Sequence, residues 1–462
     1  MKNLPKHVTI LNLILLISSL VFYYQDEKKY FWVMFLIGAI DYSVALIISY
    51  LQKTNARKIW TRLWLLLSII SNMGILFYFK YIGFTLGLFN DLAVLSNTQP
   101  LNFSVTRDII MPLGISFYTF ESLSYVIDVF RGQTKATRKL IDYWTFITFF
   151  PHLIAGPIIR FSQLQRQLES REHNWENIAE GFRRFFFGLG KKVILANPLA
   201  YYTDLFYNLD PTRIDATLSW LMTCTFALQL YFDFSAYSDM AIGLGRLFGI
   251  KLPENFNYPY IASSMTDGWR RWHITLTGWF RDYVYKPLCH VNSSHSGRVF
   301  NVIFVFMLCG LWHGANLTFI YWGLINGVFL GLEVALRKKK LRALPTLFGH
   351  LYFITVILIS LVFFRSSTLD QALKTVFAMF GGNSLIVSED TLKTLLEPHF
   401  LFYFLSGIIC STPFYINLAR HVSAKLPITQ ILFNEIIPLA IFFISVVMMT
   451  EQTYVPFIYF RF

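Results

Sequence analysis

Charge is what this sequence has least of. Only 15% of its 462 residues are Asp, Glu, Lys or Arg, against about 25% in an ordinary soluble domain, and that deficit excludes a soluble enzyme held by a membrane anchor. Cysteine is scarce as well: the four, at 224, 289, 309 and 410, have no CxxC spacing, which argues against a disulfide framework or a zinc site. Familiar catalytic signatures are missing, among them Gly-x-Ser-x-Gly and His-Glu-x-x-His. Gly243-Leu244-Gly245-Arg246-Leu247-Phe248-Gly249 misses the GxGxxG spacing and Gly188-Leu189-Gly190-Lys191-Lys192 lacks the Ser or Thr of a P-loop, so both read as helix-packing glycines. No internal repeat, low-complexity tract or linker marks a second domain.

What fills the chain instead is apolar: 55% hydrophobic residues, 18% aromatic, and a mean hydropathy of +0.48. Runs long enough to span a bilayer occur at 8–24, 31–51, 60–80, 108–130, 142–159, 216–234, 299–312, 314–336, 350–364, 400–418 and 431–449. With shorter re-entrant or interfacial pieces near 81–95, 185–204, 236–250 and 371–381, the expected fold is an all-α integral membrane protein, a multi-span helical bundle of about 11–13 spans at roughly 20 residues each. One membrane domain covers 1–462. The first run lacks a small-residue cleavage site before Gln25-Asp26-Glu27 and is followed at once by another, so it reads as a membrane helix and not as a signal peptide. The net charge of +13 fits the positive-inside bias and anionic lipid, and no basic domain stands outside the apolar runs to bind nucleic acid. Lys53, Arg57, Lys58 and Arg62, and the Arg337–Arg342 cluster, place the 52–62 and 337–342 loops in the cytoplasm.

Three polar regions interrupt this background. The first is Phe149-Phe150-Pro151-His152-Leu153-Ile154-Ala155-Gly156-Pro157, a broken helix that reads equally as a cavity wall or a turn at the membrane surface. The second runs from Asp233 and Asp239 through Asn255-Phe256-Asn257 to Trp269-Arg270-Arg271-Trp272-His273 and Trp279-Phe280-Arg281-Asp282-Tyr283. Acids among apolar residues are costly in a bilayer. The arginines, with Lys286, suit either phosphate binding or an amphipathic helix lying among lipid headgroups. The third is Cys309-Gly310-Leu311-Trp312-His313-Gly314-Ala315-Asn316, inside an apolar stretch, Phe300–Leu336, that is too long for one span and must break near its glycines. A histidine there is a functional candidate by position, and the glycines allow a substrate or a second backbone to come close.

Together these residues resemble the membrane-bound O-acyltransferase family, in particular its bacterial alginate and peptidoglycan O-acetyltransferase branch. The likeness rests on Met111-Pro112-Leu113-Gly114-Ile115-Ser116-Phe117-Tyr118-Thr119-Phe120, Tyr125–Gly132, Ala155-Gly156-Pro157, Tyr231–Asp239, Pro253–Asn257, Trp269–Tyr283, Leu311–Asn316, Val362-Phe363-Phe364-Arg365 and Phe457-Ile458-Tyr459-Phe460-Arg461-Phe462. Against the family pattern, His152 stands in place of a glutamine, Cys289 in place of a glycine, and the N-terminus is shorter by about one helix of roughly 20 residues.

The resemblance implies a central funnel or tunnel through the membrane, with His313 catalytic and His273 the second functional position. It puts substrate contacts among Asp233, Trp269, Arg270, Arg271, Arg281, Asp282, Trp312 and Asn316. It implies no bound cofactor. An acetyl group from a cytoplasmic thioester donor, acetyl-CoA, would pass across the bacterial inner membrane toward an extracytoplasmic polysaccharide, by way of an SGNH-type acetyltransferase or other acceptor protein. A reading from another class is a transporter or flippase for an acyl donor or lipid-linked sugar, with Asp233, Asp239 and His313 as a polar pathway; the absence of inverted repeats weighs against it. A polysaccharide synthase would need a soluble sugar-nucleotide domain that the chain lacks.

Overall fold

The computed structural model describes residues 6–99, 109–171, 173–212, 214–338, 345–384, 386–451 and 457. Residues 339–342 of the basic cluster and 458–462 of the terminal motif lie outside them, as do the side chains of Arg337 and Lys338. The described residues are helical and include no strand, as lipid requires of a chain that must satisfy its backbone hydrogen bonds internally. They cluster into two compact units, 1–177 with 245–252, and 178–244 with 253–462.

The first unit is built from α1 (Lys6–Asp26), α2 (Phe31–Lys53), α3 (Lys58–Leu76), which a π-helical turn at Phe77–Tyr81 joins to α4 (Ile82–Leu95), then α5 (Ile115–Phe130), α6 (Leu140–Thr148) and α7 (Phe161–Glu169). Helix α5 begins at Gly114, whose φ of +72° and 2.6 Å approach of a virtual Cβ to the Leu153 carbonyl oxygen admit no side chain. Every residue of α5 from Ile115 to Val126 is buried, so its polar residues face protein. Ser122 Oγ donates to Asp41 of α2 at 2.6 Å, and Ser68 (2.6 Å) and Asn72 (2.9 and 3.0 Å) of α3 donate to the same carboxylate. One acid thus ties three helices together.

The chain passes through α8 (Trp175–Gly190), α9 (Asn197–Tyr207) and the long α10 (Ala216–Leu247). The second unit continues with α11 (Met265–Arg271), α12 (Ile274–Phe280), α13 (Lys286–Val291), α14 (His295–His313), α15 (Leu317–Lys338) and α16 (Thr346–Arg365), and closes with helices at Leu369–Met379, Glu389–Leu396, Pro398–Cys410, Phe414–Lys425 and Ile437–Glu451. The acids that the sequence places on α10 are paired: Asp233 with Lys192 at 2.6 Å, and Asp239 with Lys191 at 2.6 Å and Arg184 at 2.7 Å.

Seven helices among the described residues are long and apolar enough to cross a membrane, or eight if the pair Pro398–Cys410 and Phe414–Lys425, bent by 67°, makes one broken span. Three of the eleven apolar runs therefore take other forms. The run at 108–130 yields α5, whose 16 residues reach about 24 Å at 1.5 Å per residue. The run at 142–159 stops at Thr148, ahead of Pro151 and the Gly156-Pro157 pair, which do not continue a helix. The run at 216–234 extends to Leu247, and its threonines, Gln229 and Asp233 make it a polar interior helix.

Candidate active site

The predicted break between Gly310 and Gly314 is present. Helix α14 ends at His313, Gly314 is extended (φ −167°, ψ 148°), and α15 starts at Leu317. Asn316 makes the turn: its side-chain oxygen accepts from the Thr318 amide at 3.1 Å and its Nδ2 donates to the Ser367 carbonyl at 3.1 Å. The two helices fold back on each other as a tight hairpin because Gly310 lies against the Phe319 carbonyl and Gly323 against the Phe306 carbonyl, where any Cβ would overlap backbone.

The hairpin puts the His313 ring among aromatic edges: Trp312 at 4.9 Å, Trp322 at 5.1 Å and Phe364 at 5.2 Å between ring centroids, each close to perpendicular. Such edge-to-face packing fixes the orientation of a ring. His313 is buried.

His273 arrives from a different part of the chain. It sits between α11 and α12 in a left-handed conformation, φ 41° and ψ 54°, which costs a non-glycine residue of order 1–3 kcal/mol and persists only where its surroundings enforce it. Asn255 supplies much of that enforcement. Its carbonyl accepts from the Ile274 amide at 2.9 Å, and its side-chain oxygen accepts from the Thr275 amide at 3.2 Å and hydroxyl at 2.9 Å. The Asn255 side chain is itself anchored by donating to Ser238 Oγ at 3.1 Å. The His273 ring faces Trp312 at 6.3 Å, Phe256 at 6.0 Å and Phe234 at 6.4 Å. Neither of its ring nitrogens meets a hydrogen-bond partner among the described residues, and burial pushes the imidazole down to about 3, so it is neutral at physiological pH.

Both histidines line one small cavity of the second unit, about 40 Å³, walled almost wholly by apolar groups including Trp269, Trp272, Tyr260, Trp322, Phe353 and Phe364. The neutral His273 imidazole in such a wall is a group that can accept or donate a hydrogen bond.

The other residues singled out in the sequence are placed as follows. Trp269 is buried in the cavity wall, its ring 5.6 Å from Trp322. Trp312 is buried with its ring facing both histidines. Arg270 is exposed, while Arg271 is half-buried, pairs with Asp267 at 3.0 Å and donates to the Asn257 carbonyl at 3.3 Å. Arg281 is exposed and pairs at 3.0 Å with the buried Asp282, which Lys286 also meets at 2.8 Å. Asp233 is held by Lys192, and Asn316 by its capping role. None of Asp233, Arg270, Arg271, Arg281, Asp282 and Asn316 lines the cavity. Sequence reasoning did not single out Trp322, because nothing in local spacing marks a tryptophan nine positions after a histidine until the hairpin folds it back. Asn255 was visible only as part of a motif.

A family model described as MBOAT, membrane-bound O-acyltransferase family, matches residues 20–364. A probable alginate O-acetylase AlgI of Azotobacter vinelandii is 41% identical over 383 residues, which cover 82% of this chain and 74% of that one. A protein with the same description from Pseudomonas putida is 36% identical over 473 residues, 98% of this chain and 94% of its own. A peptidoglycan O-acetyltransferase of Helicobacter pylori is 37% identical over 403 residues, covering 80% and 74%.

Proposed function

The chain belongs to the membrane-bound O-acyltransferase family and is a multi-pass acyltransferase of the bacterial inner membrane, and from that premise we propose that it moves an acetyl group from acetyl-CoA on the cytoplasmic side toward an extracytoplasmic polysaccharide of the alginate or peptidoglycan kind. The observation that carries this reading is the meeting of His273 and His313 in one apolar cavity. The alginate and peptidoglycan names of its relatives supply the acceptor class.

His313 serves as general base. Its neutral ring takes the proton of an acceptor hydroxyl as that oxygen attacks the thioester carbonyl; the tetrahedral intermediate collapses with loss of the thiolate, which recovers the proton from the imidazolium. A positioned base of this kind is worth typically 10²–10⁴-fold. His273 orients the acceptor or the thioester oxygen, and the Trp312 indole between the two rings is the candidate donor to the developing oxyanion. The dry aromatic wall suits the thioester end of the donor, whereas its phosphates need cations, and Arg270, Arg271, Arg281 and Lys286 offer them outside the cavity. The acceptor hydroxyl belongs to an extracytoplasmic partner, an SGNH-type acetyltransferase or other acceptor protein, that completes the transfer to the polymer.

The test is labelled-acetyl transfer by the purified protein with donor and partner. His313→Ala is expected to lower turnover by at least about 10²-fold with expression and membrane insertion kept. Near-normal turnover in that variant removes His313 from the chemistry and overturns the mechanism.

A further inference from the structure

Glu333 is the one acid in the long apolar stretch that forms the α14–α15 hairpin, and the mechanism above leaves it without a task. A carboxylate in a membrane span is costly unless it is paired or hydrogen-bonded. Here one oxygen accepts from the Met265 amide at 2.6 Å, and the other accepts from the Thr266 amide at 3.0 Å and the Thr266 hydroxyl at 2.5 Å. The two amides belong to the first turn of α11, where backbone N–H groups have no partner within the helix.

We infer that Glu333 is a positioning residue for the acyl-transfer site: from the span α15 it pins the start of α11 and so sets where His273 stands relative to His313. The inference rests on the reading of those two histidines as the reacting pair. Three features of the molecule support it.

First, α11 ends at Arg271 and His273 follows two residues later, so a shift or rotation of this short helix moves the imidazole directly. Asn255 fixes the backbone after His273; Glu333 fixes the helix before it. A strained left-handed residue held from both sides is over-determined, which is the condition for it to persist.

Second, Trp322 and Glu333 lie eleven residues apart on α15, three turns to within about 20° and about 16 Å along the axis. They therefore share a face. Trp322 on that face touches both the His313 ring and the Trp269 ring, so α15 meets the His313 end of the site with one side chain and the His273 end with the other.

Third, α15 is itself locked to α14 by the glycine contacts at 310 and 323, which leaves it little freedom to slide. It behaves as a ruler between the two imidazoles.

The experiment compares Glu333→Gln in the wild-type and His273→Ala backgrounds. The amide that replaces one oxygen turns a donor toward donors and breaks half of the clamp. If Glu333 acts through His273, kcat falls about tenfold or more while the KM for acetyl-CoA stays within about twofold, and the same change adds less than about twofold once His273 is gone. A second readout is independent of activity: modification of His273 by diethyl pyrocarbonate, followed by mass spectrometry, becomes at least about fivefold faster in Glu333→Gln as the ring leaves its buried position. Equal losses in both backgrounds, with His273 as protected as in the wild type, overturn the inference. Where Glu333→Gln fails to fold, Thr266→Ala removes only the hydroxyl donor and is read by the same two measurements. A His273→Ala variant with normal turnover would instead sink the reading of His273 as part of the reaction, and the protection rates would still decide whether Glu333 holds it.

Discussion

His152 in the first unit and His273 in the second are both buried, and their surroundings differ in kind. His152 has its Nδ1 3.0 Å from a carboxylate oxygen of Glu121, an acid that also accepts from the Ile159 amide at 3.1 Å. His273 has rings around it and no hydrogen-bond partner for either nitrogen among the described residues. The contrast extends to the neighbours. In the first unit Asp41 accepts from three side chains, whereas in the second the cavity between His273 and His313 is almost free of polar surface. Buried polar groups that satisfy one another hold helices in place; a buried imidazole that faces an apolar cavity, as His273 does, is available to a substrate.

The strongest way to break this comparison is to remove a histidine from each side. His313→Ala is expected to abolish about 10²-fold of turnover while thermal unfolding in detergent barely moves. His152→Ala should do the reverse: it leaves Glu121 buried without its partner, at a cost of about 3 kcal/mol, yet turnover per folded molecule stays within about twofold. Paired measurements of folded fraction and labelled-acetyl transfer decide it, and a His152 variant that folds normally but has lost turnover ends the division of labour.

Asp41→Asn probes the satisfied network. Losing charge-assisted acceptance from Ser68, Asn72 and Ser122 is expected to lower stability by about 2 kcal/mol with no change in KM for donor or acceptor, measured by unfolding midpoint and by kinetics.

A smaller effect separates the regions by pH. Burial lowers the folded-state pKa of His273 from 6.5 to about 3, so between those values the unfolded chain binds a proton that the folded one does not. Stability therefore falls as pH drops below 6.5 toward 3 and is unaffected above 6.5. His273→Gln should flatten that acid slope in unfolding midpoints between pH 7 and pH 5; an unchanged slope assigns it to other groups.

The least disruptive test concerns the cations outside the cavity. Arg281→Gln is expected to raise the KM for acetyl-CoA about threefold to tenfold with kcat held. Equal kinetics in glutamine variants of Arg270, Arg271 and Arg281 would favour the reading of this block as a lipid-facing amphipathic segment.

Some of this was legible before any fold was known. The break at Gly310–Gly314 follows from arithmetic, because Phe300–Leu336 is longer than one span. The His313 position follows from the same break. The run at 142–159 reads as a span in the sequence, but its helix ends at Thr148, ahead of Pro151 and Gly156-Pro157, and the partners of the α10 acids were not legible because Lys191, Lys192 and Arg184 lie some 40 to 55 residues away. The arginines of the Trp269–Lys286 block read as phosphate binders or lipid anchors alike, since residue type gives charge and not direction.

By itself the sequence determined that the chain is helical and membrane-embedded, because too little charge and too many apolar runs leave no other way to satisfy the backbone in lipid. It also singled out His313, because an ionisable group inside a span is rare. Only the tertiary structure decided that His273 meets His313, forty positions further on. That meeting depends on a left-handed residue held by Asn255, a hairpin closed over glycines, and a carboxylate on α15 that receives the first amides of α11. Each is a long-range contact, and local propensity carries no information about which distant groups will share a cavity.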